Sequence, residues 1–239
     1  MRSVFKKILI FVIVICALWY AMEGKASELK DINLNKIGLA LNEKDKLVNP
    51  NNTSIRKELV LVNIEHGLSE DYKPEGLTMP NIPFATEAHQ EEKYVVGIIA
   101  KPIEELVHAA KQDGTILLGN SGYRSYKSQK DVYTSRVKSN GKKLADAYVA
   151  KPGFSEHQTG LCIDITNKSG NFVKGTKEAD WLAENCYRFG FIIRYPYGKQ
   201  NITSIEYEPW HIRYVGKEAA KYIYDNKITL EEYLAQSKK

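Results

Sequence analysis

The stretch PGFSEHQTGLCIDIT, residues 152–166, places a histidine and an aspartate seven positions apart with a glycine between them. His157 and Asp164 offer one nitrogen and one oxygen donor. Catalytic zinc takes three protein ligands from His, Asp, Glu or Cys and keeps a fourth position for water, so a third donor has to come from elsewhere in the chain. Five histidines are available. His66 falls in a loop-like stretch, His89 in an acidic polar one and His108 on an expected helix. His211 stands apart. In EYEPWHIRYVG (206–216) its aromatic and β-branched neighbours indicate a packed strand, and Glu208 precedes it by three positions. A carboxylate beside a zinc-activated water can take its proton and pass it to a leaving amine, and Pro209 restricts the Glu208 backbone to extended or turn forms.

Each element alone has an ordinary explanation. A strand histidine is commonly a satisfied core residue, an aspartate at a strand end is commonly a cap or turn residue, and Glu208 could be a surface strand residue. S-x-H-x-x-G-x-x-x-D and E-x-W-H together, in this order, are far more specific. With LVLVN…LSEDYKPEGL, NSGYRSYKSQ, GFSEHQTGLCIDIT, GFIIRYP and YEPWHIRYVG in succession, the chain resembles the zinc-dependent D,D-carboxypeptidases of the vancomycin-resistance VanY type and related L,D-carboxypeptidases of bacterial cell walls, over roughly residues 56–235. The resemblance implies that His157, Asp164 and His211 bind one Zn2+ and that Glu208 is the general base. It also exposes a departure: the family commonly has a small apolar residue where Cys162 stands. Strand alternation puts Cys162 on the same side as Asp164.

A peptide substrate ends in a carboxylate, which arginine binds through two parallel hydrogen bonds. Arg124, just after a glycine turn in SGYRSYKSQ, is the candidate, in line with the family pattern. Gln129 and Ser155 are candidate hydrogen-bonding partners of the substrate's terminus, with helix surface and loop capping as their ordinary alternatives. Arg194 and Arg213 are expected as structural ion-pair partners, and Tyr123, Trp210 and Tyr214 as packing of the site walls. The function expected is an exported zinc carboxypeptidase removing C-terminal D-alanine from peptidoglycan stem peptides or precursors, with D,D activity favoured. The alternatives are L,D activity on tetrapeptide stems and a catalytically silent wall-binding module, against which intact His157, Asp164, His211 and Glu208 argue.

These residues must be positioned by an α+β domain: helices and short strands alternate without a regular βαβ cycle, giving a small mixed or antiparallel sheet flanked by helices. Strands are expected at Leu59–Val62, within TILLGNSGY, at Leu161–Ile165, in FIIRY and in WHIRYV. Helices are expected in KPIEELVHAAKQDG, with Pro102 in the first turn and Gly114 as the stop, and in SYKSQKDVYTSRVKSNG, KEADWLAENCYRFGF, GKEAAKYIYDN and TLEEYLAQ. VKSNGKK (137–143) reads as solvated surface.

Three regions follow: 1–26, 27–55 and 56–239. Residues 1–26 begin with Arg2, Lys6 and Lys7 before an uncharged apolar stretch from Ile8 to Met22, the pattern of a secretory signal or, if uncleaved, a membrane anchor. Residues 27–55 are a polar spacer. The net charge is +5, but the first 26 residues hold four basic and one acidic residue, so the remainder is nearly balanced and gives no electrostatic case for nucleic acid. Beyond Cys16, only Cys162 and Cys186 are left, either as one disulfide or as two buried thiols.

Overall fold

The computed structural model describes residues 57–236. The expected signal or anchor and the polar spacer lie outside them. Among the described residues no helix is long and apolar enough to cross a membrane.

The chain runs through β1 (Leu77–Thr78), β2 (Val95–Val96), α1 (Gly97–Gln112), β3 (Leu118–Ser121), α2 (Tyr126–Asn140) and α3 (Lys142–Tyr148). A 3-10 turn, Glu156–Thr159, leads into β4 (Cys162–Thr166); α4 (Lys177–Asn185), β5 (Phe191–Tyr195), α5 (Gln200–Thr203), β6 (Glu208–Tyr214), α6 (Lys217–Asn226) and α7 (Leu230–Gln236) follow. β1 and β2 form a small antiparallel pair. The main sheet is antiparallel throughout, in the order β3-β4-β6-β5.

Register decides what each face does. Ser121, Asp164 and His211 are direct neighbours across three strands, and Cys162 pairs with Arg213. These residues share one face, which is largely polar. The residues between them, Ile163, Ile165 and Ile212, point the other way into the core with Phe191. That face is covered by α1, whose Ile99, Ile103, Leu106, Val107 and Ala110 recur at helical spacing and are all buried. Burying each of the four larger side chains stabilises by about 1.5–3 kcal/mol, so the sheet is held from behind while its polar face stays free for chemistry. A second cluster, Ile192, Val215, Ala219, Ala220, Ile223 and Leu230, seats α6 and α7 against the sheet's end.

Several expectations are corrected. Leu59–Val62 is not a strand: Lys57–Leu59 is a 3-10 turn, and the Glu58 and Val60 carbonyls accept hydrogen bonds from the Arg213 guanidinium, where a strand would have a neighbouring backbone. Pro102 lies inside α1 beyond its first turn. The helix starts at Gly97, and the missing proline N–H costs it the bond that Ile98 would have accepted. The strand expected at Leu161–Ile165 is shifted by one residue to Cys162–Thr166. α3, within the stretch read as solvated surface and beyond, was not foreseen; only its Ala145 is buried, so its apolar signal is faint.

Candidate functional site

His157 sits on the 3-10 turn rather than on a strand. Ser155 caps this turn, its Oγ accepting the His157 N–H at 3.4 Å. Gly160 ends it at φ 67, in the left-handed region, where a side chain would also press on Val96. That is the physical content of S-x-H-x-x-G: a capped single turn that halts abruptly and enters β4. Asp164 comes from the middle of β4 and His211 from β6 beside it.

Glu208 reaches the same place through an irregularity. Strict alternation would send residues 208 and 211 to opposite faces. The β5–β6 pairing instead passes from Ile193–Ile212 to Tyr195–Glu208, two steps on β5 against four on β6. Pro209, which has no N–H for a ladder, occupies this break, as prolines in strands do. The break turns both Glu208 and His211 into one cavity.

Hydrogen bonds fix the donor atoms. His157 Nδ1 donates to the Gly122 carbonyl at 2.7 Å, which leaves Nε2 bare and 3.5 Å from Asp164 Oδ2. Gly122 has to be glycine, since a Cβ there would stand 2.4 Å from the Tyr94 carbonyl. His211 Nδ1 lies 3.0 Å from Asp164 Oδ1 and 3.9 Å from Glu208 Oε2. Yet Asp164 Oδ1 is buried without a hydrogen-bond partner, so the close approach of Nδ1 lacks hydrogen-bond alignment. Two ring nitrogens and a carboxylate therefore converge with an oxygen left over. Leaving a buried acceptor unpaired costs about 1–3 kcal/mol, more when it is charged; a divalent cation taking two nitrogens and an oxygen would remove that cost, and the donor set suits zinc.

Electrostatics agree. Burial works against ionisation of Asp164, but His157 and His211 outweigh it and hold the carboxyl down to about 2. Burial takes His157 down to about 3, so it is a neutral donor. Burial also opposes a charged His211, but Cys162, Asp164 and Glu156 around it raise its basicity well above that of an ordinary imidazole. Burial pushes the Glu208 carboxyl up to about 8, with His211 and Arg124 opposing and Asp164 reinforcing. A general base works best with its pKa near the operating pH.

Cys162 brings its sulfur within 4.8 Å of donor atoms of both His157 and His211, so His157, Cys162 and His211 form a second possible donor set. Burial raises the Cys162 thiol's pKa, with His211 opposing. A metal needs the thiolate, so Asp164 is the better third ligand. Cys162 and Cys186 are both free and buried. Their elements explain why: Cys162 faces the site, while Cys186 packs in the core on the other side of the sheet.

The cavity has a volume of about 400 Å³ and is lined by all seven candidate residues. Arg124 is held rigidly within it. Its Nε donates to Glu92 Oε1 at 2.6 Å, Nη1 to Gln129 Oε1 at 2.9 Å and Nη2 to Ser121 Oγ at 2.6 Å. Of five guanidinium N–H groups, one on each Nη is left, the pair suited to a carboxylate. Gln129 has both ends engaged, its Nε2 donating to the Ala150 carbonyl. Trp210 lines the cavity as expected, but Tyr123 and Tyr214 do not. Tyr214 faces away and meets Phe191 edge to face at 5.3 Å, and Tyr123, the residue before Arg124, is buried, its backbone N–H donating to the Tyr94 carbonyl. His66, His89 and His108 take no part in the lining.

Sequence reasoning missed Glu156, between two motif residues. It is fully buried, and its Oε1 accepts from Arg194 Nε at 2.8 Å and Arg213 Nη1 at 2.6 Å. Arg194 in turn forms a two-pronged pair with Glu231 on α7, at 3.0 and 2.7 Å. The expected structural pairing of both arginines is thus present, and a carboxylate next to His157 was the available signal for its partner.

Comparisons with known proteins agree with this geometry. Residues 92–217 match the family model described as VanY, D-alanyl-D-alanine carboxypeptidase. A putative carboxypeptidase YodJ of Bacillus subtilis is 44% identical over 186 residues, 76% of this chain and 68% of the relative. Among solved structures, the LD-carboxypeptidase LdcB aligns with a TM-score of 0.70 at 43% identity, covering 75% of this chain and 86% of that one. A vancomycin-resistance D,D-pentapeptidase VanY in complex with Zn(II) aligns at 0.63 and 37% identity, covering 74% and 98%. The chain belongs to the VanY D-alanyl-D-alanine carboxypeptidase family.

Proposed function

We propose that this protein is an exported zinc carboxypeptidase that removes C-terminal D-alanine from peptidoglycan stem peptides or their precursors, preferring D-Ala-D-Ala ends. The observation that carries the reading is the convergence of His157, Asp164 and His211 beside Glu208, in one cavity with the two spare N–H groups of Arg124. The opening basic and apolar stretch supports export.

His157, Asp164 and His211 would hold the zinc. When bound, zinc supplies Lewis acidity, polarising the scissile carbonyl and acidifying water. Glu208 would take a proton from water on its carboxylate and return it to the departing amine. Arg124, already aimed by Glu92, Gln129 and Ser121, receives the terminal carboxylate without having to be ordered first. Trp210 and Tyr195 wall the cavity beside these groups and limit competing water.

A second reading, L,D cleavage of tetrapeptide stems, is favoured by the higher identity and TM-score of the alignment to LdcB. One assay separates the two. The purified full chain with zinc is given a stem pentapeptide ending in D-Ala-D-Ala and, separately, the tetrapeptide, and products are weighed by mass spectrometry. Release of D-alanine from the pentapeptide at the higher kcat/KM is expected. Preference for the tetrapeptide would establish the L,D reading, and release from neither would falsify the proposal.

A further inference from the structure

The two histidines of the site differ in how their outer nitrogens are served. His157 has its Nδ1–H committed to the Gly122 carbonyl, so its tautomer is set and its Nε2 is the free donor. His211 is turned the other way: Nδ1 faces Asp164, and Nε2 points inward. That Nε2 is buried and without a hydrogen-bond partner, and so is Glu156 Oε2, 3.6 Å away. Asp164 Oδ1 is orphaned as well, so three of the five unpartnered buried side-chain atoms among the described residues gather around one imidazole.

From this we propose that Glu156 is the positioning residue for His211. It accepts the Nε2–H, so that Nδ1 carries the lone pair offered to the metal. This rests on the reading above, in which His211 is a zinc ligand. The chemistry is a simple complement. If Nδ1 is to be a donor atom, the ring's one proton must reside on Nε2, and a buried N–H needs an acceptor. A separation of 3.6 Å exceeds a hydrogen bond, but a shift of about half an ångström closes it. Ligating histidines usually give their second N–H to a carboxylate or carbonyl, which fixes the tautomer and strengthens the ligand. Gly122 does this for His157, and Glu156 does it for His211.

The rest of the cluster explains how a carboxylate can be kept there. Glu156 Oε1 is saturated by Arg194 and Arg213, so only Oε2 is left to turn towards the ring. Arg213 is fixed by the Glu58 and Val60 carbonyls and Arg194 by Glu231. The position of a metal ligand is thereby tied to both ends of the described chain. Cys162 also lies near His211, but a thiol is a weak acceptor beside a carboxylate.

The test is zinc affinity of the full chain, measured by competition with a chelator, with no substrate present. Glu156→Gln keeps the shape and removes the charge; it is expected to weaken zinc binding about 10–100-fold. Glu231→Gln breaks the same cluster one pair further out, and Cys162→Ala removes the thiol; both are expected to stay within about threefold of wild type, as sites without direct contact to the ring nitrogen should. Wild-type affinity in Glu156→Gln, or an equal loss in Glu231→Gln or Cys162→Ala, overturns the proposal. Should Glu156→Gln not fold, nitrogen-15 NMR of the zinc-loaded wild type decides. A His211 Nε2–H protected from solvent exchange is expected, and a proton on Nδ1 overturns it. If the wild type itself binds no zinc, the functional reading fails instead, so the two failures are distinguishable.

Discussion

Two clusters of buried charge share the polar face of the sheet and meet at His211. In one, His157, Asp164, Glu208 and Arg124 open onto a cavity, and Asp164 Oδ1 lacks a partner. In the other, Glu156, Arg194, Arg213 and Glu231 are sealed in, with guanidinium groups answered by carboxylates and carbonyls at 2.6–3.1 Å. The composition is similar; the difference is how fully the charges are answered. In the sealed cluster Glu156 Oε2, turned towards His211, is the one carboxylate oxygen without a partner. Unpartnered groups lining a cavity can bind something from outside, whereas answered ones hold their neighbours. Activity should therefore depend mainly on the first cluster and stability mainly on the second, with Glu156 as the link between them.

The largest effect is expected at Glu208. Glu208→Gln should lower kcat by about 10²–10⁴-fold, the usual share of a general acid–base group. It should not weaken the fold. The Glu208 carboxyl is raised from 4.5 to about 8, so its ionisation costs stability that is absent below 4.5 and complete above 8. The zinc-free variant should accordingly melt no lower than the zinc-free wild type above pH 8 and should gain relative to it as pH rises. A variant that melts clearly lower would break the comparison.

Arg213→Met tests the sealed cluster. Removing one partner of a buried ion pair strands the other, typically at 3–5 kcal/mol. Here the Glu58 and Val60 carbonyls lose their donor as well. Urea unfolding should show a loss in that range. A loss below about 1 kcal/mol, the scale of a surface pair, would mean that the cluster is not what holds the two ends of the described residues to the sheet.

What the sequence could say about these two regions was unequal. His157, Asp164, Glu208, His211 and Arg124 could be singled out together because ordered motifs that resemble a known family carry them at fixed spacing, and the structure brings all five to one cavity. The sealed cluster was only half legible. Arg194 and Arg213 were read as ion-pair partners, but Glu156 meets them from 38 and 57 positions away and Glu231 meets Arg194 from 37, through a pairing of strands and helices that no local pattern encodes. The α+β class followed from helical and alternating runs; the strand order β3-β4-β6-β5 did not, because short apolar strands are interchangeable by composition. Leu59–Val62 misled for a related reason. It is apolar like a strand, but it begins in a 3-10 turn, and the Glu58 and Val60 carbonyls are claimed by the Arg213 side chain.

Arg124 belongs to the open cluster but borrows the other's method, three fixed contacts leaving two N–H groups to spare. Lysine would keep the charge and lose the fork. Arg124→Lys should lower kcat/KM by roughly tenfold to a hundredfold, the equivalent of ~1.5–3 kcal/mol for a charge-assisted contact, at unchanged zinc content. Amidating the substrate's C-terminus should harm the wild type severely and Arg124→Ala much less. Equal sensitivity would assign the carboxylate to another group in the cavity, Ser155 or Arg136.

The mildest effect should appear as a pH dependence of the sealed cluster. Burial alone would raise the Glu231 carboxyl, but the charge and hydrogen bonds of Arg194 hold it below its ordinary 4.5. Glu156 is likewise depressed: burial opposes this, and Arg194 and Arg213 overcome it. A carboxylate with a lowered folded pKa contributes stability that is fully present above its unfolded value and lost as pH falls through its folded value. Unfolding free energy should therefore be insensitive to these two groups above pH 5 and decline below about 4.5, by at most about 1.4 kcal/mol per pH unit for each proton taken up. Glu231→Gln cannot take up its proton and so should flatten part of that acid limb, while lowering stability near neutrality. Urea titrations at pH 7, 5, 4 and 3.5 on wild type and variant make the comparison. Parallel acid limbs would place the proton uptake elsewhere, with Asp164, depressed to about 2, as the next carboxylate to substitute.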